Sequence, residues 1–217
     1  MRFGITLVLS SLVSVGLYLY GAQRNHSSAY SYLIWNLFLA FLPLLFASRL
    51  VQVLATKRWS SWEAIGLSFL WLIFLPNSFY MISDFIHLQE VMRVDLLFDV
   101  IMFTSFIYNG VVLGFCSLYL VHSQFVRRLN RRFGLEMVIA TLLVCSTAIY
   151  IGRDLRWNSW DIVTNPGGLL FDVSDRLSHI SSYPQMLVTI IGFFVLLSSM
   201  YALLWNGASL LRQMKTR

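Results

Sequence analysis

From residue 100 to residue 121 the chain carries no Asp, Glu, Lys, Arg or His. At 1.5 Å per residue a helix of that length crosses the hydrocarbon of a bilayer. Lipid offers no partner to backbone N–H and C=O groups, so such a segment must satisfy its own and is a helix. Five more apolar runs, at about residues 3–20, 30–48, 62–82, 135–151 and 185–206, predict five more spans, with the fourth drawn from about 95 to 121. Only 12% of the residues are charged and 58% are hydrophobic, against about 25% charged in a soluble domain. The expected fold is an all-α membrane protein, a bundle of six transmembrane helices forming a single transmembrane domain over residues 1–217. The first run, residues 3–20, exceeds the roughly 7–15 residues of a secretory apolar core, so it is read as a retained helix. Pro43 and Pro76 fall inside the second and third runs, where the missing N–H predicts a kink or an end.

Basic residues set orientation. With a cytoplasmic amino terminus, the inner segments hold Arg2, Arg49, Lys57, Arg58, Arg127, Arg128, Arg131, Arg132, Arg212, Lys215 and Arg217, eleven of the sixteen Lys and Arg. Both termini are therefore expected in the cytoplasm of a bacterial cytoplasmic (inner) membrane. The net charge of +6 is spread in short clusters between apolar runs, which is orientation chemistry, so no nucleic-acid partner is expected. Cys116 and Cys145 lie within apolar runs and read as buried small hydrophobes. The same topology places eight of the ten acids outside: Asp84, Glu90, Asp95, Asp99, Asp154, Asp161, Asp172 and Asp175. The other two have local roles, Ser60 with Glu63 as a capping box and Glu136 in the first turn of the fifth helix.

Two outer stretches concentrate polar chemistry. If the chain stays α-helical past Pro76, Asn77, Tyr80, Asp84 and His87 share one face, and Asp95 and Asp99 share another at the start of the fourth span. Asp84, His87, Asp95 and Asp99 could hold a divalent cation or supply a carboxylate-assisted histidine base. Acids at a helix amino terminus are also favoured by water and the dipole alone. The second stretch is residues 149–161, where Arg153, Arg156, Trp157 and Trp160 continue the helical spacing of the fifth span and Asn158 and Asp161 follow. The tryptophans suit an interfacial belt. The arginines suit an anionic lipid headgroup or the outer acids as partners. Beyond the turn signal Asn165-Pro-Gly-Gly168, Leu169, Leu170, Val173, Leu177 and Ile180 share one side of an amphipathic stretch, predicting an outer interfacial helix near residues 168–181. His26 and His122 read as solvated. No Walker loop, dinucleotide fingerprint, nucleophile elbow or paired-histidine zinc motif occurs.

The stretches Tyr32-Leu-Ile-Trp-Asn-Leu-Phe-Leu-Ala40, Phe74-Leu-Pro-Asn77 with Tyr80, Asp84 and His87, Asp95-Leu-Leu97, Tyr150-Ile-Gly-Arg153 and Leu155-Arg-Trp-Asn-Ser-Trp-Asp161 resemble a bacterial family of integral membrane proteins, domain-of-unknown-function family 1361. Asp154 stands where that family usually has an aromatic residue, and Arg93-Val94 where aromatics precede Asp95. The resemblance implies a multi-spanning membrane protein and carries no activity.

Two functions fit these residues. In the first, the protein is an enzyme acting on a lipid or lipid-linked substrate at the outer leaflet. Its acid or base is His87, Asp84, Asp95 or Asp99, and Asn77, Tyr80, Arg153, Arg156, Trp157, Asn158, Trp160 and Asp161 bind the substrate. In the second, it is a small-solute carrier or membrane assembly partner, and the same residues form a structural ion-pair network. Membrane lipids are the expected partners. The sequence specifies neither cofactor nor oligomeric state, beyond the option of a divalent metal.

Overall fold

The computed structural model describes residues 2–24, 26–89 and 96–215. Among them the chain is all-α: α1 (Arg2–Arg24), α2 (Tyr32–Thr56), α3 (Trp62–Tyr80), a 3-10 segment (Met81–Gln89), α4 (Leu96–Arg128), α5 (Arg131–Asp154), α6 (Asp161–Thr164), α7 (Pro166–Ser178), a short 3-10 turn (Ile180–Ser182) and α8 (Pro184–Lys215). Six of these helical stretches are long and apolar enough to cross a membrane, as the six runs predict. All of these helices except α3, which ends at Tyr80, outlast their apolar runs; α4 continues to Arg128 and α5 to Asp154. The chain divides into two compact units, Met1–Leu120 and Val121–Arg217.

Caps fix several helix starts. Ser61, one residue later than the expected capping box, accepts from the Ala64 N–H and opens α3, while Glu63 pairs with Lys57 at 2.8 Å. Asn130 accepts from the Phe133 N–H and starts α5 at Arg131. Glu136 therefore lies beyond the first turn and pairs with Arg132, so its role is a surface i,i+4 pair.

In the first unit the helices run antiparallel, as paired contacts show. Between α2 and α3, Phe46 meets Phe74, the Ser78 hydroxyl donates to the Ala40 carbonyl, and Asn36 donates to Asp84. Each step up α3 is matched by a step down α2. Between α3 and α4, the Trp71 indole N–H donates to the Ser117 hydroxyl at 3.2 Å. Gly114 lies against Phe79 and Ser78, and Gly110 against Met81 and the Ser78 carbonyl. A Cβ at either glycine would come within 2.8 Å of these atoms, so the Gly-x-x-x-Gly spacing lets the two backbones approach, as small residues do where lipid supplies no hydrophobic drive for helix association. Asn109, 1% exposed, fastens α4 to α1 by donating to the Ser14 hydroxyl at 3.0 Å and the Ser10 carbonyl at 3.3 Å.

The second unit is built on α5 and α8, with Tyr150, Met186 and Ile190 at the core and Ile151 and Tyr183 against it. Residues 121–128 of α4 contribute His122. The expectation of a solvated His122 is wrong: it is 4% exposed, its Nδ1 lies 2.9 Å from the Tyr201 hydroxyl, and its ring lies 3.9 Å from that of Trp205. Gly134 of α5 closes over its Nε2 edge, where a Cβ would meet Nε2 at 3.1 Å. The imidazole is thus a three-helix contact of α4, α5 and α8.

Candidate functional site

The polar side chains of the first unit gather at the end where α2 begins. Past Pro76 the chain does not hold one α-helical face. The Asn77 amide donates to the Phe74 carbonyl at 3.1 Å, α3 ends at Tyr80, and Met81–Gln89 tightens to 3-10 geometry. The expected common face of Asn77, Tyr80, Asp84 and His87 is corrected accordingly. In a 3-10 helix residues three apart eclipse, so Met81, Asp84 and His87 line one edge, with Asn77 and Tyr80 on the preceding helix. Exposure climbs along that edge: Met81 is fully buried, Asp84 is 1% exposed, and His87 is half-buried.

Asp84 is a carboxylate inside a membrane-length helix pair, a placement that costs about 2.5–3.5 kcal/mol on insertion scales and calls for a partner. α2 supplies one: the Asn36 amide donates to Asp84 Oδ2 at 3.1 Å. One turn earlier on α2, Tyr32 packs edge-on against the His87 ring at 5.3 Å. Tyr32 and Asn36 are four apart and share a face, so α2 presents an amide and an aromatic ring to the Asp84–His87 edge. Neither was among the expected site residues. The available signal was their i,i+4 spacing in an apolar segment.

Asp99, in the first turn of α4, is 3% exposed, deeper than a capping acid needs to be. The α3–α4 contacts set Asp84 abreast of the turn near Ile107, roughly 12 Å along the helix from Asp99 at 1.5 Å per residue. The two carboxylates therefore stand at separate levels. Asp95 lies outside the described residues. Among the described residues no group of three or more His, Cys, Asp or Glu is placed to hold a metal ion.

The second unit carries the arginine stretch, and here the helical spacing expected through Trp160 stops early. α5 ends at Asp154, the Ile151 carbonyl accepts from both the Leu155 and Trp157 N–H groups, and Arg156 between them has φ 59°. That left-handed conformation costs a residue with a Cβ about 1–2 kcal/mol and is ordinarily glycine's. Arg153 is half-buried on the last turn of α5, and Arg156 is exposed. Trp157 donates from Nε1 to Asp172 of α7 at 2.9 Å and packs against Gly168, where a Cβ would meet its ring at 2.9 Å. This contact ties α7 to the end of α5. Asp161 accepts from the Asn158 N–H and the Thr164 hydroxyl, so Asn158 and Asp161 shape the turn into α6. Trp160 is 44% exposed.

The predicted interfacial helix corresponds to α7, which starts two residues and ends three residues earlier than expected: Asn165 caps it by accepting from the Gly168 N–H, and Pro166 takes the first helical position. Leu170, Phe171 and Leu177 are exposed, the pattern of a helix lying in a membrane surface. Arg176 covers the Tyr183 ring at 3.8 Å, which brings the end of α7 onto the start of α8.

No curated protein and no solved structure matches the chain. A family model does, over residues 35–200, a range that takes in Asn36, the Asp84–His87 edge, Asp99 and the arginine stretch. The chain belongs to the family described as Protein of unknown function (DUF1361).

Proposed function

We propose that the protein is a membrane enzyme acting on a lipid or lipid-linked substrate at the outer leaflet, with His87 as its acid or base. The observation behind this reading is the graded edge of the 3-10 segment: a fully buried Asp84, held by Asn36, stands one turn below a half-buried His87. A buried carboxylate beneath an accessible imidazole is the arrangement of a general base with its orienting partner. Asp84 is then a positioning residue, and His87 is the group that meets substrate. Tyr32 flanks the imidazole and would shape the approach. In the second unit, taken by itself, Arg153 and Arg156 are the groups suited to hold an anionic lipid headgroup through guanidinium hydrogen bonds. The distribution of basic residues supports both termini in the cytoplasm, and therefore an outward His87 in a bacterial inner membrane.

The test compares lipid extracts by mass spectrometry from cells producing wild-type or His87→Gln protein at matched membrane abundance. The reading predicts at least one lipid or lipid-linked species whose level follows the wild-type protein and returns to the empty-vector level with His87→Gln. Identical extracts at matched abundance would overturn it. The second reading, a carrier or assembly partner in which Asn36–Asp84 is a helix lock, draws on the same hydrogen bond; it predicts unchanged extracts with reduced abundance of Asp84 variants.

A further inference from the structure

We propose that Arg156 is the phosphate ligand of an anionic phospholipid headgroup site at the corner of α5, α6 and α7. The proposal deepens the anion-holding role assigned above and rests on that reading for its substrate class. The backbone supplies the first observation. Arg156 takes φ 59°, a conformation in which glycine would be more stable, so the fold gains nothing from an arginine there. The second is its surroundings. Arg156 is exposed and makes no hydrogen bond or ion pair with any described residue.

Three of the neighbouring acids are engaged elsewhere: Asp172 accepts from Trp157, Asp175 lies 3.2 Å from His179 Nδ1, and Asp161 accepts from Asn158 and Thr164. The end of α5 does attract cations through its dipole, yet Arg153 already serves that role from a helical position and without strain. What remains is an unpaired guanidinium next in the chain to Trp157, which ties this corner to α7, and the segments on either side of that tie expose Trp160, Val163, Leu170 and Phe171. Those apolar side chains belong at the acyl boundary and would hold Arg156 at headgroup depth, where a lipid phosphate can take two of its N–H donors.

The experiment follows thermal unfolding of the full-length protein in neutral detergent, titrated with dihexanoyl phosphatidylglycerol or with inorganic phosphate. Wild-type protein is expected to gain stability with the lipid and not with inorganic phosphate at equal concentration. Arg156→Gly is expected to unfold about 2–4 °C higher than wild type without ligand and to need about tenfold more lipid or beyond for the same gain, with Arg156→Lys in between. An unchanged lipid response in Arg156→Gly, a lower ligand-free Tm for that variant, or an equal response to inorganic phosphate would each overturn the proposal. The lipid-extract comparison reads His87 separately: a His87-dependent species beside an unchanged Arg156→Gly response would overturn only the headgroup assignment.

Discussion

At Asp84 two substitutions separate charge from structure. Asp84→Ala leaves the Asn36 amide without its acceptor and opens a gap at a residue 1% exposed; the expected loss is about 1–3 kcal/mol, read as a lower Tm in detergent. Asp84→Asn keeps an acceptor oxygen for Asn36 and is expected to stay within about 1 kcal/mol of wild type, while weakening the His87-dependent lipid change. Equal destabilisation by both would mean that the charge itself holds the helices. At this scale the sequence was partly legible. Asp84 and His87 stood out as ionisable groups in an apolar run, but Asn36 and Tyr32 did not, because neutral residues carry no insertion penalty comparable to a carboxylate's. Arg156 stood out by type, whereas its left-handed backbone follows from the way α5 ends and left no mark in the composition.

Helix positions were read well and helix ends poorly. Apolar length located all six spans, since hydrocarbon thickness imposes it. The ends depend on caps and single carbonyls: Ser61 and not Ser60 opens α3, and α5 halts at Asp154 when Ile151 accepts from Trp157 as well as Leu155. The change from α to 3-10 geometry after Tyr80 moved Asp84 and His87 onto an edge of their own. The α3–α4 contact was legible in retrospect through Gly110 and Gly114, which are four apart. At Gly114 an added Cβ would lie 2.8 Å from both Phe79 and Ser78. Gly114→Ala is therefore expected to cost about 1–3 kcal/mol by overpacking, seen as a lower Tm, whereas Gly66→Ala, with nothing within 4 Å of the added carbon, should be neutral or stabilising through helix propensity. Similar Tm values for the two would contradict the close helix approach.

For the molecule as a whole, charge asymmetry and burial lead to one arrangement. The proposed topology, drawn from the distribution of basic residues, puts the loop with Arg127, Arg128, Arg131 and Arg132 in the cytoplasm and His87, one 3-10 turn from the buried Asp84, toward the outer water. The four histidines provide an internal control, because His26 and His179 are exposed, His87 is half-buried and His122 is 4% exposed. The most direct measurement is diethyl pyrocarbonate labelling of sealed, right-side-out membrane vesicles, with each histidine read by peptide mass spectrometry. The account predicts that His26, His179 and His87 are modified from outside while His122 is not. Protection of His87 under conditions that label His26 and His179 would contradict it.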